Sequence, residues 1–394
     1  MVIGIYVESY ETGGVDSVIL NKIKYWPKND KFIIFYNEEY REINKILKPE
    51  LKDKVKFIKL NIYTIESICH RFKLNNIKIF IRLLGVVAKY FFFIINFLNA
   101  IKILNKNKIE SLFIHNGGYP GGLSTIPFAL AFYLKKKKKS KYVIHSLPLK
   151  ISYLNFFYEY LSDKLLSNFT QLIFVSKFSS ALMFKRRYLN CNPKIIFNGS
   201  RIPDFKIKIK KNSITTFIYV GRINREKGIL FILKNFEELL KNKINKFNII
   251  LCGKISNEVR IQMKYFLKNS LLKNKIKYYG FIKNKFVQKK ISNADYLILP
   301  SLQIENLSMS VIESFSVGVP VIASNVGAIK EICGKNNANI LFNPESSNDF
   351  RKKIIKIINE DIKKRIYKKK IINNIFLKKF TAVRMSKKYS LLIN

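Results

Sequence analysis

Short runs of β-branched and aromatic residues alternate along this chain with longer segments whose apolar positions recur at helical spacing. The first half predicts strands at Val2–Val7, Lys31–Tyr36, Val55–Leu60, Ser111–His115, Tyr142–His145, Leu172–Val175 and Lys194–Phe197, with helices in most of the gaps. Residues 201–213 are Lys-rich, hold Pro203 and show little periodicity, so they read as a linker. The pattern then restarts, with strands expected at Thr216–Val220, Asn248–Cys252, Lys277–Phe281, Tyr296–Leu299 and Val319–Ala323. Strand–helix–strand units of this kind build parallel sheets. The expected class is α/β, with two doubly wound Rossmann-like domains at 1–200 and 214–375 and a C-terminal helix, 376–394, returning to the first. Ligands of open parallel sheets bind beyond the carboxyl ends of the strands, so two facing domains would enclose an interdomain cleft.

A length of 394 residues suits two such domains, and a 48% hydrophobic content lets each bury a core. Charge changes the picture more. The chain carries 72 Lys plus Arg against 26 Asp plus Glu, a net +46, which attracts anionic partners such as lipid headgroups, phosphorylated substrates or nucleic acid. Lys, Asn and Ile also crowd segments that look like plain solvent faces, so part of this charge is compositional. No helix-turn-helix, finger or aromatic RNA-binding motif accompanies it, which argues against nucleic acid as a partner. Cys69, Cys191, Cys252 and Cys333 lack paired spacing, as expected of a reducing cytoplasm rather than a zinc ribbon or disulfide framework. The start, Met1–Val7, reads as a buried strand and lacks the basic region of a signal peptide.

Leu83 to Leu104 is apolar apart from Lys89, Asn96, Asn99 and Lys102. Its uninterrupted core falls short of the roughly twenty residues that a spanning helix needs. A helix packed within the first domain is expected. The alternative is an interfacial helix that leans its aromatic face, Tyr90 to Leu98, on a membrane.

Candidate chemistry gathers just past two strand ends. The first segment is Gly221-Arg-Ile-Asn-Arg-Glu-Lys-Gly228, followed by an amphipathic helix expected over Ile229–Leu240. Arg222 and Lys227 stand near a helix N-terminus, whose free amides and dipole favour an anion, and together they suit a diphosphate. In a chain this basic, two cations alone would mean only a solvated loop. The second segment, Pro300 to Pro320, supplies Glu305 and Glu313 in a chain with few acids. A carboxylate can accept two hydroxyl protons at once, which fits the vicinal diols of sugars and ribose.

These two segments closely resemble glycosyltransferase family 4, the retaining enzymes with the two-domain GT-B fold. The GR…EKG element corresponds to Gly221, Arg222, Glu226, Lys227 and Gly228, and the E-x7-E element to Glu305 and Glu313. Ser292–Ser301, Gly318–Ser324 and Gly327–Glu331 continue the likeness, which is dense from Thr216 to Phe342. The resemblance implies that Arg222 and Lys227 bind the donor diphosphate and stabilise the leaving group. It implies that Glu305 contacts the transferred sugar, with Asn306, Leu307 and Ser308 supplying amides, and that Glu313 holds the ribose diol. Gly280, Phe281 and Ile282 would frame the base. No metal ligand set and no cofactor are expected, the nucleotide diphosphate-sugar being a co-substrate. Asn306 and Ser316 depart from the Gly and Ala of many relatives without removing chemistry.

The first half agrees less densely. Thr12-Gly13-Gly14-Val15 resembles the family's glycine loop, where bare backbone amides can approach a donor phosphate or the acceptor. Asp16 stands beside it where Glu or Ala is common. Ser176–Ser179 and Asn198-Gly199 match further elements. His145, at a strand end, would stand beside the donor sugar in a catalytic or positioning role. His115 with Asn116, Gly117 and Gly118, which open a glycine-rich loop, would meet the acceptor. The implied reaction moves a sugar from a UDP- or GDP-sugar to a hydroxyl of a glycan or lipid-linked acceptor in surface polysaccharide or lipopolysaccharide biosynthesis. The expected place is the cytoplasm, with a peripheral position at the inner face of the plasma membrane as the alternative. A sugar-nucleotide epimerase or phosphorylase of the same architecture and an inert glycan-binding scaffold are the rivals.

Overall fold

A computed structural model describes residues 1–10, 13–40, 42–51, 54–72, 78–205, 214–334 and 336–393. The chain forms two compact units, residues 1–197 with 383–394 and residues 198–382.

The first unit holds a parallel sheet of seven strands: β1 (Val2–Glu8), β2 (Lys31–Asn37), β3 (Val55–Leu60), β4 (Ser111–Asn116), β5 (Ser140–Ile144), β6 (Thr170–Phe174) and β7 (Lys194–Ile195). Their order is β3-β2-β1-β4-β5-β6-β7, so the winding reverses between β1 and β4. β1, β4 and β5 are almost wholly buried, because helices cover both faces of a doubly wound sheet. That is why they read as unbroken apolar runs rather than as alternation.

The second unit repeats the scheme with β8 (Thr215–Val220), β9 (Phe247–Cys252), β10 (Ile276–Tyr278), β11 (Tyr296–Leu299), β12 (Val321–Ser324) and β13 (Ile340–Phe342), in the order β10-β9-β8-β11-β12-β13. Here the reversal lies between β8 and β11. Its core joins Phe217, Tyr219, Ile249 and Ile298 of the strands to Ile232, Phe236 and Ile354 of the helices. Two doubly wound Rossmann-like units of this kind are the GT-B class.

Several boundaries differ from the sequence pattern. β13 was not expected, and β10 stops at Tyr278 because Gly280 turns the chain at φ +65°. His145 follows β5 instead of ending it. Arg201, at the head of the expected linker, is anchored in the second unit: its Nε donates to Gln288 Oε1 at 2.9 Å and its Nη2 to the Lys285 carbonyl at 2.7 Å. Residues 206–213 of that linker lie outside the described residues. The C-terminal segment divides. Helix Ile362–Lys379 packs in the second unit through Ile372 and Phe376, whereas helix Ala382–Ser390 places Ser386 Oγ on the Lys22 carbonyl of the first unit at 3.0 Å.

Helix Lys78–Lys106 packs one face within the first unit, as expected, and exposes another. Ala100 and Leu104 are buried in the first unit's core, with Phe93, Phe97 and Ile101 against it. Asn96 pins the helix to the Tyr63 backbone through two hydrogen bonds, at 3.0 and 2.7 Å. Val87, Tyr90, Phe91, Ile94 and Leu98 form an exposed stripe on it. By length and composition alone, Gly85–Lys106 is long and apolar enough to cross a membrane.

Candidate functional site

In the second unit, three glycine turns stack at the carboxyl ends of β8, β9 and β10. The Gly221 amide donates to the Cys252 carbonyl at 3.0 Å and the Gly253 amide to the Gly280 carbonyl at 2.7 Å. A side chain at Gly253 would overlap the Gly221 carbonyl, so these two turns close to backbone-on-backbone contact only because Gly253 is bare. Gly280 thereby presents Phe281, which is exposed, and Ile282, which is half-buried, at this edge.

The segment after β8 is held in shape by its own polar groups. The Tyr219 hydroxyl donates to the Arg222 carbonyl at 2.5 Å, and Asn224 Oδ1 accepts from the Lys227 amide at 3.0 Å. Gly228, at φ +67°, caps helix Ile229–Lys241. This segment is packed against the one after β11: the Leu302 amide donates to the Glu226 carbonyl at 2.9 Å, and a side chain at Gly228 would overlap the Pro300 carbonyl. Arg222 is exposed at the same end.

Glu305 stands where these segments meet. Its Oε1 lies 2.5 Å from Lys227 Nζ and also accepts from the Ser301 hydroxyl. Its carbonyl accepts from the Ala328 amide at 2.8 Å, and Gly327 is bare where it crosses the Glu305 backbone. Asn306, Leu307 and Ser308 lead into helix Met309–Ser316, with Ser308 as its N-cap residue and Leu307 buried. Two expected ligand contacts, Lys227 and Glu305, are therefore brought together, with a cation and a carboxylate at one strand-end edge.

Glu313 lies on that helix. Burial of its carboxyl raises the pKa to about 8, against the pull of the Arg201 guanidinium. Gln288 fixes Arg201 there by donating to the Arg201 carbonyl and to Ser316 Oγ, each at 2.8 Å. Arg201 escaped sequence reasoning because it sits in a Lys-rich stretch without a motif.

In the first unit, Gly13 precedes helix Gly14–Lys24, and both glycines are exposed. The Gly13 amide donates to Asp16 Oδ2 at 2.9 Å, and the Asp16 amide donates back to the Gly13 carbonyl at 3.3 Å. Asp16 is buried, its carboxyl pushed up to about 6, and the Tyr40 hydroxyl holds its other oxygen. Asp16 thus shapes the glycine turn. Thr12 lies outside the described residues.

His115 and Asn116 correct an expectation. Both side chains are buried and cannot touch an acceptor directly. Asn116 instead scaffolds the loop that follows: its Oδ1 accepts from the Gly118 amide at 2.7 Å, and its Nδ2 donates to the Gly121 carbonyl at 2.8 Å. Gly117 and Gly118 remain at the surface of that loop. His115 Nδ1 lies 2.8 Å from His145 Nε2, and the rings stack at 5.0 Å. Burial, with Lys22 nearby, lowers the His145 pKa to about 3.

Sequence reasoning also missed Glu8, at the end of β1. It is buried, accepts from the Ser124 amide at 3.0 Å and hydroxyl at 2.5 Å and from Tyr10 at 3.0 Å, and its pKa rises to about 7 through burial.

Residues 201–374 match the family model described as glycosyl transferases group 1. The second unit is a group 1 glycosyl transferase domain. Among relatives of this glycosyltransferase, the 2-deoxystreptamine N-acetyl-D-glucosaminyltransferase of Niallia circulans is 27% identical over 291 residues, covering 67% of this chain and 72% of its own. The capsular polysaccharide biosynthesis glycosyltransferase CapH of Staphylococcus aureus is 28% identical over 163 residues, 41% of this chain and 45% of CapH. Among solved structures, Anabaena Alr3699/HepE in complex with UDP superposes with a TM-score of 0.75 at 15% identity, over 100% of this chain and 99% of that one. The last likeness is one of fold.

Proposed function

We propose that this glycosyltransferase is a retaining, metal-independent family 4 enzyme that moves a sugar from a UDP- or GDP-sugar to a hydroxyl of a glycan or lipid-linked acceptor. The observation that carries the reading is the Lys227–Glu305 pair on two interlocked strand-end segments, the first of which also exposes Arg222. A diphosphate needs fixed cations and a sugar needs a fixed carboxylate, and these side chains supply both at a strand-end edge. The N-acetylglucosaminyl transfer named for the Niallia protein and the UDP bound to the Anabaena protein support a nucleotide-sugar donor, and the capsule role of CapH supports a surface-glycan product, whereas the acceptor named for the Niallia protein, 2-deoxystreptamine, is a small molecule.

In the proposed reaction the bond between the anomeric carbon and the donor phosphate oxygen breaks while Arg222, Lys227 and the amides ahead of helix Ile229–Lys241 hold the charge that develops. The acceptor oxygen bonds to the anomeric carbon on the same face, and its proton passes to a phosphate oxygen of the leaving nucleotide. Glu305 with Asn306, Leu307 and Ser308 orients the sugar, Glu313 the ribose, and Gly280 to Ile282 the base. The family resemblance further assigns Gly13, Gly14 and His145 to the donor and the loop of Gly117 and Gly118 to the acceptor. A thermal-shift panel of UDP-, GDP- and ADP-sugars, with product analysis on the best stabiliser, tests this. Absence of stabilisation by every nucleotide sugar would overturn it.

The acceptor reading and a place at the inner face of the plasma membrane draw on the apolar stripe of helix Lys78–Lys106. A second apolar element continues it: Lys89 Nζ donates to Asn155 Oδ1 at 2.8 Å and Tyr90 meets Tyr158 edge-on at 5.3 Å. There Tyr153 is 99% exposed and Phe157 79%. The acids of this second element, Glu159 and Asp163, turn inward onto buried Arg187, while Lys150 and Lys164 stay outside. An aromatic, cationic face with its acids withdrawn suits an anionic bilayer surface.

A further inference from the structure

Three nitrogen-bearing side chains line up inside the first unit. Lys22, on helix Gly14–Lys24, is wholly buried, and its Nζ lies 2.5 Å from Nε2 of His115 on β4. The same Nζ lies 3.9 Å from the centre of the Phe113 ring, a face that favours the cation, and 5.0 Å from the centre of the Tyr389 ring. The other nitrogen of His115 lies 2.8 Å from His145 Nε2. The His145 amide donates to the Asn116 carbonyl at 3.0 Å, so strand pairing holds its backbone too.

The row has one direction. The Phe113 and Tyr389 ring faces favour Lys22 as an ammonium, which has no lone pair and can only donate to His115 Nε2. His115 then bears its own hydrogen on Nδ1 and donates it to His145 Nε2. That leaves the His145 hydrogen on Nδ1. We propose that Lys22 and His115 are positioning residues that lock His145 as the Nδ1–H tautomer, making it a neutral hydrogen-bond donor and not a base. Burial works the same way, because it suppresses the charged form of both rings. The helix that carries Lys22 is itself braced, since Ser386 and Tyr389 of the C-terminal helix reach its carbonyl and its side chain. A donor at His145 suits an oxygen of the transferred sugar or its phosphate. This last step rests on the assignment of His145 to the donor, whereas the tautomer does not.

The chain holds three histidines, so nitrogen-15 labelling of histidine yields a short, assignable set of ring signals. In the free protein His145 shows a protonated Nδ1 and an unprotonated Nε2. Lys22→Met keeps the length and removes the donor, and it returns His145 to a tautomer mixture. Should Lys22→Met not fold, His115→Asn serves, and the wild-type spectrum needs no variant. A His145 protonated at Nε2 in the wild type, or a tautomer unmoved by both variants, overturns the proposal. With the best donor sugar, Lys22→Met lowers kcat about tenfold with donor KM within about twofold, and the loss disappears in a His145→Ala background. An equal loss in both backgrounds marks Lys22 as merely structural and overturns the positioning role. The locked tautomer without any transfer would leave the row intact and refute the donor assignment instead.

Discussion

Lys227 and Glu305 are 78 residues apart in sequence yet stand 2.5 Å apart, Nζ to Oε1, because their segments interlock through Leu302, Glu226 and the bare Gly228. Each partner holds the other in place. Glu305→Gln removes the charge that occupies Lys227 and frees it for phosphate. Transfer should fall roughly a hundredfold, while free UDP or GDP binds as well as before or better. Isothermal calorimetry beside a turnover assay separates the two. A parallel loss of nucleotide affinity would count against the sugar-side role of Glu305.

Arg222→Ala should reduce transfer by about two orders of magnitude or more, the scale of charge-stabilising groups. It should also weaken nucleoside diphosphate binding, which Glu305→Gln does not. Near wild-type activity would remove Arg222 from the diphosphate role.

Glu313 sets a pH dependence. A carboxyl raised to about 8 is mostly protonated in the free protein at neutral pH, and a ribose diol needs the ionised form as a double acceptor. Donor affinity should therefore rise about tenfold from about pH 7 to 9, as the ionised fraction grows through that pKa. For stability the sign is opposite. The folded pKa lies above the unfolded one, so the native state binds the extra proton and this contribution is lost as pH rises from about 4.5 through about 8. Glu313→Gln should flatten both profiles. A donor affinity independent of pH in the wild type would refute the assignment.

Two glycines should answer differently to alanine. Gly228 is at φ +67° and its side-chain position is filled by the Pro300 carbonyl, so Gly228→Ala should cost the second unit about 1–3 kcal/mol and its nucleotide-induced thermal shift. Gly13 has extended backbone and open space, so Gly13→Ala should leave stability within about 0.5 kcal/mol. Its effect should appear only in turnover. Wild-type turnover in folded Gly13→Ala would show that nothing approaches that turn.

The exposed aromatic face predicts binding to vesicles. Flotation with phosphatidylglycerol-containing vesicles should capture the protein at low salt, and phosphatidylcholine vesicles should not. Tyr153→Ser with Phe157→Ser should weaken capture at least about tenfold, since burying each ring contributes on the order of 1.5–3 kcal/mol. Unchanged capture would shift the contact elsewhere, and none at all would remove the bilayer as partner.

Much of this was legible in the chain itself. Buried strands of a parallel sheet need continuous apolar runs, and the turns after β8, β9 and β12 need glycines where backbones cross. Both requirements leave marks at short range, which is why the two-sheet organisation and the elements around Gly221–Gly228 and Glu305–Glu313 could be read in advance. Short β13 could not, because a three-residue run such as Ile340–Phe342 has no period of its own.

What only the tertiary structure decided were the partners. Nothing local to Arg201 marks it as the neighbour of Glu313, and nothing near Lys22 announces His115, 93 residues on. Nor does the sequence show that His115 and Asn116 face inward. Periodicity reports which side of an element is apolar, whereas a buried polar side chain gains its role from a group that folding brings from far along the chain. The alternation of strand and helix was thus determined by sequence alone, and the company each charged group keeps by packing, because desolvation forces such groups to find partners wherever the fold supplies them.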